Sequence, residues 1–385
     1  MIPYARQEIG QDDIDAVDRV LRSDWITQGP LIPKFEKAVA ARCGAEHGVA
    51  VSSATAALHL VFSALNLGKG DRLWTSPNTF VATANSALYC GAEVDFVDID
   101  PATLNMSVEA LAFKLIRAER EGRLPKVVVP VHFGGCSCDM KAIHSLSKQY
   151  DFRVVEDAAH AIGGRYCGGE IGSCSYSDAT VFSFHPVKMI TTGEGGMVVT
   201  NNSDLAERIN LHRSHGITRD ESKMHGDSDG AWYYEQLELG FNYRLTDFQA
   251  ALGLSQLSRL DQFLAKRLAL ANRYQSLLKD LPLTSQSIPS CNSSAWHLFV
   301  IKLSNTASRR EVFDRLRDAG IGVNVHYIPV HLQPFYRAQG FKPGDYPEAE
   351  RYYSAAITLP LYPALKESEQ DYVVRQLVSI LGEEK

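Results

Sequence analysis

The apolar positions along the chain change period several times. Short continuous apolar runs, of strand length, occur at Val49–Val51, Arg72–Thr75, Val94–Asp98, Lys126–His132, Phe152–Glu156, Thr180–Phe184 and Met197–Thr200. Between them lie stretches of helical period. In Asp139–Tyr150, for example, Ile143, Leu146 and Tyr150 share one face. Strands that alternate with helices predict an α/β fold with a mostly parallel sheet covered on both sides. In such sheets a ligand binds outside the carboxyl ends of the strands.

Past residue 200 the pattern loosens. Arg213–Glu235 is rich in Gly, Asp and Ser and reads as loop. Thr246-Asp247-Phe248-Gln249 has capping-box spacing and opens a long helix striped by Ala251, Leu254, Leu257 and Leu260. Leu281–Ser294, rich in Pro, Ser and Thr, reads as a second loop, and a strand follows at Trp296–Leu303. A second capping box, Ser308-Arg309-Arg310-Glu311, opens a helix that stops at Gly320. A strand at Gly322–Tyr327 and a closing helix complete a smaller α/β unit. The expected division is a large domain at 1–245, with an amino-terminal arm, and a small domain at 246–385. No internal repeat and no low-complexity segment is found.

Composition alters this picture little. The chain has 385 residues, enough for one large and one smaller domain, and its 45% hydrophobic content is that of an ordinary globular core. The net charge of −6 is spread over residues of both signs. Without a long basic or acidic block, neither a nucleic-acid role nor a polybasic membrane role is expected. Met1–Gln7 contains no apolar signal segment and no run is long enough to span a bilayer, so the expected location is the cytoplasm. The seven cysteines are scattered, and Cys136-Ser137-Cys138 lacks the two-residue gap of a redox or zinc pair. Reduced thiols are expected. An iron–sulfur site from Cys136, Cys138 and Cys174 is the alternative, with nothing else to support it.

Candidate chemistry changes the picture more. Lys188 lies in Phe182-Ser183-Phe184-His185-Pro186-Val187-Lys188-Met189-Ile190-Thr191-Thr192-Gly193-Glu194-Gly195-Gly196. Apolar surroundings disfavour a charged amine and leave the neutral, nucleophilic form available. Asp157 closes the apolar run before Ala158-Ala159-His160. Pyridoxal phosphate chemistry requires such a pair: an amine for the aldehyde and a carboxylate for the pyridinium nitrogen. The ordinary readings are a surface lysine and a helix-capping aspartate. Both residues lie at or just past predicted strand ends, as does Ser52-Ser53-Ala54-Thr55-Ala56-Ala57-Leu58. A small-residue turn before a helix offers N–H donors to a phosphate, although an ordinary N-cap looks the same. Ser183 is a candidate hydroxyl donor to the same phosphate, and a bend near Pro186 is required for both it and Lys188 to reach one ligand. Phe80 either stacks on an aromatic cofactor or belongs to the core.

With these residues in view, the chain resembles the fold-type I, pyridoxal-phosphate-dependent sugar aminotransferases of the DegT/DnrJ/StrS type over nearly its whole length. The resemblance is carried by Gln28-Gly29-Pro30, Ser53–Leu58, Thr79–Asn85, Glu156–Ala161, Phe182–Gly196, Arg213–Gly216 and Gly240–Leu245. It implies a mostly parallel seven-stranded sheet in the large domain, with pyridoxal 5′-phosphate as cofactor. Lys188 is similar to the lysine that carries the cofactor, and Asp157 to the partner of its ring nitrogen. Ala54, Thr55 and Ser183 match positions around the phosphate, and Phe80 the stacking position. His160 replaces a glutamine common in the family. Asn242 resembles the residue sent across a dimer interface, which implies a homodimer with shared sites. Within the family, the most similar branch is that of the pseudaminic-acid pathway, which aminates C4 of a UDP-linked 4-keto-6-deoxy-N-acetylhexosamine. That likeness makes Tyr4, Asp24, Trp25, Ile26, Thr27, Asn324, Val325, His326 and Tyr327 substrate contacts, and glutamate the amino donor. The alternative for the aromatic residues among them is interface packing. Three other functions remain open: amination of another nucleotide-linked keto sugar, sugar dehydration on the same fold, and non-catalytic binding. Dehydratase relatives replace the lysine by histidine, and Lys188 speaks against that reading.

Overall fold

The computed structural model of this chain describes residues 1–305 and 309–382. Its elements begin with α1 (Gln11–Leu21), α2 (Leu31–Cys43), β1 (His47–Val51), α3 (Ala54–Ala64), β2 (Arg72–Thr75), α4 (Val81–Tyr89), β3 (Glu93–Phe96) and α5 (Val108–Arg120). Next come β4 (Val127–Val129), α6 (Met140–Tyr150), β5 (Arg153–Asp157), β6 (Arg165–Tyr166), β7 (Gly169–Glu170), β8 (Ala179–Ser183), β9 (Gly196–Thr200) and α7 (Ser203–His212). The rest are β10 (Ile217–Thr218), β11 (Glu235–Gln236), α8 (Asp247–Ser258), α9 (Leu260–Leu278), β12 (Leu283–Ser285), β13 (Asn292–Ser293), β14 (Phe299–Leu303), α10 (Arg309–Asp318), α11 (Pro334–Arg337), α12 (Pro347–Ala355), β15 (Ala356–Leu359) and α13 (Glu367–Gly382).

The seven apolar runs of the first half all become strands of one sheet, in the order β1-β9-β8-β5-β4-β2-β3. Only β9 runs against its neighbours; the other adjacent pairs are parallel. Both faces are covered, so alternate residues enter different cores. Val127 and Val129 pack with α3, whereas Val128 packs with Leu111, Leu115 and Ile143 of α5 and α6. Toward the β1 edge, Ala50, Phe182 and Met197 pack under Phe35 and Val39 of α2. The predicted strand Lys126–His132 is cut to Val127–Val129, because Pro130 has no N–H to extend the ladder.

A second, antiparallel sheet has the order β12-β14-β15. Phe299, Ile301 and Ile357 from it pack with Val312 and Leu316 of α10, Val373 and Leu377 of α13, and Tyr274 of α9. Ile2 from the amino-terminal arm packs against the same core.

Several expectations are corrected here. Gly322–Tyr327 is not a strand. Its N–H groups go to Ile2 O (from Gly322, 2.6 Å), Thr358 O (from Asn324, 3.3 Å) and Asn78 Oδ1 (from Tyr327, 3.4 Å), rather than to one ladder neighbour. The long helix is broken into α8 and α9 at Arg259, which leaves helical geometry at φ −104° and ψ 2°. Its guanidinium donates to Glu8 O at 3.1 Å and ion-pairs with buried Asp13. Arg213–Glu235 is loop apart from β10, which pairs with β11 at its end, and a 3-10 turn at Glu221–Lys223. Leu281–Ser294 contributes β12 and β13, too short to show a period. The Thr246 box forms as expected, with Thr246 N–H donating to Gln249 Oε1 at 3.1 Å. The Ser308 cap lies outside the described residues; α10 begins at Arg309 and ends just before Gly320, at φ 77°.

Candidate active site

Three strand ends meet at one cavity of about 930 Å³, at the carboxyl edge of the parallel strands. β5 ends in Asp157, β8 ends in Ser183, and β1 leads directly into the start of α3. Ala54, Thr55, Asp157, Ser183 and Lys188 all line this cavity.

The start of α3 is built to receive an anion. Ser53 caps the helix, its Oγ accepting from Ala56 N–H at 3.1 Å. The N–H groups of Ala54 and Thr55 come before the first intrahelical bond and have no acceptor within the helix. Gly196 on β9 lets the strand approach this turn. A Cβ at that position would lie 2.6 Å from Ser53 C, Ser53 O and Ala54 N. Ser183 lies beside this turn, and the chain then turns through Pro186-Val187-Lys188, with Lys188 N–H closing onto His185 O at 2.9 Å. That is the bend required for Ser183 and Lys188 to face one space.

Asp157 is buried, and each of its oxygens has a donor. Ala159 N–H donates to Oδ1 at 3.1 Å, and Thr83 Oγ1 donates to Oδ2 at 2.6 Å. Thr83 is itself paired with Thr79 at 2.8 Å. Strand alternation turns the preceding Glu156 to the other face, where His132 Nε2 and Thr180 Oγ1 bond it at 2.6 and 3.0 Å. Burial pulls the Lys188 amine down to about 8, against the opposing pull of the Asp157 carboxylate. The neutral form is therefore about a tenth of the amine at pH 7, far more than an ordinary lysine offers.

The remaining wall is aromatic. His160 accepts Gly134 N–H on Nδ1 at 3.3 Å, which leaves Nε2–H to donate to Tyr327 Oη at 3.0 Å. Burial first, then the nearby Lys188 amine, holds His160 well below the usual imidazole range, so it is neutral. His326 is pushed down to about 3 by burial and by Lys188. Tyr327 and His160 lie in near-parallel planes, 26° apart. Phe80, 59% exposed at the first turn of α4, stands at the mouth with its ring 6.3 Å from that of Tyr327. Tyr4, Asn324, Val325 and His326 also line the cavity, with the Tyr4 ring 5.4 Å from that of His326.

Some predicted residues lie elsewhere. Asp24, Trp25, Ile26 and Thr27 are exposed on the connection between α1 and α2 and do not line this cavity. They are tied to α8, through Asp247 N–H to Ile26 O at 3.1 Å and a bridge between Thr27 and Thr246. Trp25 lines a separate groove of about 690 Å³ between α1 and α8. Asn242 is exposed, bridged to Ser214, and also outside the cavity of its own chain. Thr83 is among the residues of the site that were not predicted: its spacing to Thr79 was readable, but its contact with Asp157, 74 residues away, was not. Buried His297, whose ring lies 4.4 Å from that of His160, gave no signal in sequence.

The groups present fit pyridoxal phosphate: a depressed amine for its aldehyde, a buried carboxylate for its ring nitrogen, and a helix start with a serine hydroxyl for its phosphate. Together with the mostly parallel sheet they define a pyridoxal-phosphate-dependent transferase of fold type I. The chain belongs to the DegT/DnrJ/EryC1/StrS aminotransferase family, whose model matches residues 7–378. Its cofactor is pyridoxal 5′-phosphate. It is 40% identical over 386 residues to the spore coat polysaccharide biosynthesis protein SpsC of Bacillus subtilis, covering 99% of this chain and 97% of that one. Among solved structures it is similar to Spr1654 of Streptococcus pneumoniae in its PMP form, with a TM-score of 0.91 and 29% identity over 100% of both chains. It is similar as well to Helicobacter pylori PseC, an aminotransferase involved in the biosynthesis of pseudoaminic acid, with a TM-score of 0.90 and 30% identity over 99% of both chains.

Proposed function

We propose that this sugar aminotransferase moves an amino group from glutamate to C4 of a UDP-linked 4-keto-6-deoxy-N-acetylhexosamine, as a step in pseudaminic acid biosynthesis. The observation that carries the reading is the union, in one cavity, of the Lys188–Asp157 pair with Tyr4 and Asn324–Tyr327. The full-length likeness to PseC supports the choice of sugar.

When bound, pyridoxal phosphate supplies the electron sink for charge that develops as the donor Cα–H ionises. Lys188 would hold the cofactor aldehyde through its amine. Once free, that amine would serve as the general base at the donor Cα and as the proton donor in the reverse half-reaction. Asp157, whose Oδ2 accepts from Thr83 and whose Oδ1 accepts from Ala159, would accept from the protonated ring nitrogen. The neutral His160–Tyr327 pair closes the wall without adding charge beside Lys188. Amine transfer in two halves makes the reaction ping-pong.

The enzyme acts as a cytoplasmic homodimer in this reading, with Asn242 and Asp24–Thr27 completing the partner's site. Exposed Trp25, Trp232 and Leu239 supply apolar surface for such an interface. No helix among the described residues is long and apolar enough to cross a membrane. The test is incubation with glutamate and a panel of nucleotide-linked keto sugars, with products identified by mass and NMR. A 4-amino product from the UDP-4-keto-6-deoxy-N-acetylhexosamine is expected. Amination of a different keto sugar at higher kcat/KM, or deoxygenation without amine transfer, would overturn the reading.

A further inference from the structure

Cys167 and Cys291 take no part in the site described above. Both are exposed, one just after β6 and the other just before β13. These strands pair antiparallel with Tyr166 opposite Asn292, so the same register sets Cys167 opposite Cys291. Cys167 N–H donates to Cys291 O at 2.8 Å. Residues that face each other in this way have Cα atoms about 5.5 Å apart, within the span that a disulfide bridges. The two thiol Sγ atoms lie 2.7 Å apart. The other cysteines differ: Cys43, Cys136, Cys138 and Cys174 are buried and Cys90 is partly so. Burial keeps those thiols from small oxidants and pushes Cys43 and Cys174 up to about 12 and Cys90 and Cys136 to about 11. The Cys167 thiol is raised as well, chiefly by its hydrogen bond to Cys291, so exposure and the paired geometry set these two apart.

We propose that Cys167 and Cys291 form a modification site, a dithiol that low-molecular-weight disulfides such as oxidised glutathione convert to an intrachain disulfide clamping β13 onto β6. One cysteine thiolate attacks the small disulfide and releases one small thiolate. The second cysteine attacks the mixed disulfide so formed and releases the other. Two protein thiols are oxidised, one small disulfide is reduced to two thiols, and the two protons pass to the leaving sulfurs. The clamp falls beside a ladder of two residues per strand, which is weak by itself. From β13 the chain runs into the cavity wall, where Ala295 N–H donates to Gly135 O at 3.0 Å and His297 N–H to Gly134 O at 2.9 Å. The disulfide therefore restrains the segment that presents His297.

The test treats the native holoenzyme with oxidised glutathione and maps its peptides without reduction. The expected product joins the peptides of Cys167 and Cys291, lighter by two hydrogens, with no glutathione retained on either. In Cys167→Ser and in Cys291→Ser the remaining thiol should instead keep one glutathione. Glutathione on both residues of the wild type, unreacted thiols, or disulfides between chains would each overturn the proposal. The oxidised wild type should also unfold at least about 3 °C above the Cys167→Ser/Cys291→Ser double variant, given the usual stabilisation by a long closed loop. Equal midpoints would remove the clamp.

Discussion

At the residue scale, the site depends on what fills the lone pairs of Asp157. Thr83 Oγ1 and Ala159 N–H are both donors, so this carboxylate is held as an acceptor. An asparagine there is nearly isosteric but carries no charge for a pyridinium, and its NH₂ would face one of those donors. Asp157→Asn should keep the fold and lose at least about a hundredfold in kcat/KM, the scale of one misplaced electrostatic group. A loss below about threefold would leave Asp157 as a turn cap only. Lys188 makes a separate prediction about pH. Its amine falls from 10.5 to about 8 on folding of the cofactor-free chain, because burial outweighs the nearby Asp157 charge. Between those two values the unfolded chain binds a proton that the folded chain has shed, so stability rises with pH across that window. Cofactor-free Lys188→Met should therefore be more stable than the wild type below pH 8, with the gap narrowing as pH rises toward 10.5. Parallel denaturation curves at each pH check this, and a constant gap would sink it. Lys188, Asp157 and Ser183 were legible in sequence because each is a polar residue in an apolar setting. The service of Thr83 to Asp157 was not, because it acts across 74 residues of chain.

At the scale of elements, the sheet was legible because strands buried on both faces read as unbroken apolar runs. Val127-Val128-Val129 is the plainest case, and all three residues are buried. Elements that escaped prediction draw their stability from partners. β13 consists of Asn292 and Ser293, which carry no apolar period, and it forms because β6 offers a ladder. Gly322–Tyr327 failed in the opposite direction: its apolar content suited a strand, but its N–H groups are scattered over Ile2, Ile321, Thr358, Asn324 and Asn78. The junction between β9 and α3 shows how two elements make one subsite. Gly196 faces the backbone of Ser53 and Ala54 at 2.6 Å from where a Cβ would stand, so any side chain must push the strand or the helix start aside. Overpacking of this kind costs about 1–3 kcal/mol. Because the displaced atoms are those proposed to hold the phosphate, Gly196→Ala should weaken cofactor retention by roughly tenfold, which corresponds to about 1.4 kcal/mol. Spectroscopic titration of the cofactor-free variant measures it. An unchanged affinity would mean that the start of α3 does not carry the phosphate.

At the scale of the whole molecule, the positions of Asn242 and Asp24–Thr27 bear on the proposed homodimer. All five residues are exposed and none lines the cavity of its own chain. Their backbone is nevertheless well anchored, Asn242 by its bridge to Ser214 and Thr27 by its bridge to Thr246. Exposed residues on anchored backbone, outside the cavity of their own chain, suit the proposed surface that meets a copy of itself, where each patch serves the other chain. In the proposed homodimer Asn242 reaches the partner's phosphate site, and Asn242→Ala should lower cofactor retention without unfolding either subunit. Mixing Asn242→Ala with Lys188→Ala separates this from a role in the same chain. Across an interface, a mixed dimer holds one site with both lesions and one site with neither. Each mixed dimer should then recover up to about half of the wild-type activity, provided that subunits exchange and the sites work independently. If Asn242 served its own subunit, each site of the mixed dimer would carry one lesion and no activity would return. Differently tagged chains, purified in sequence, isolate the mixed species, and the absence of recovery in that fraction would defeat the shared-site reading while leaving the roles of Lys188 and Asp157 intact.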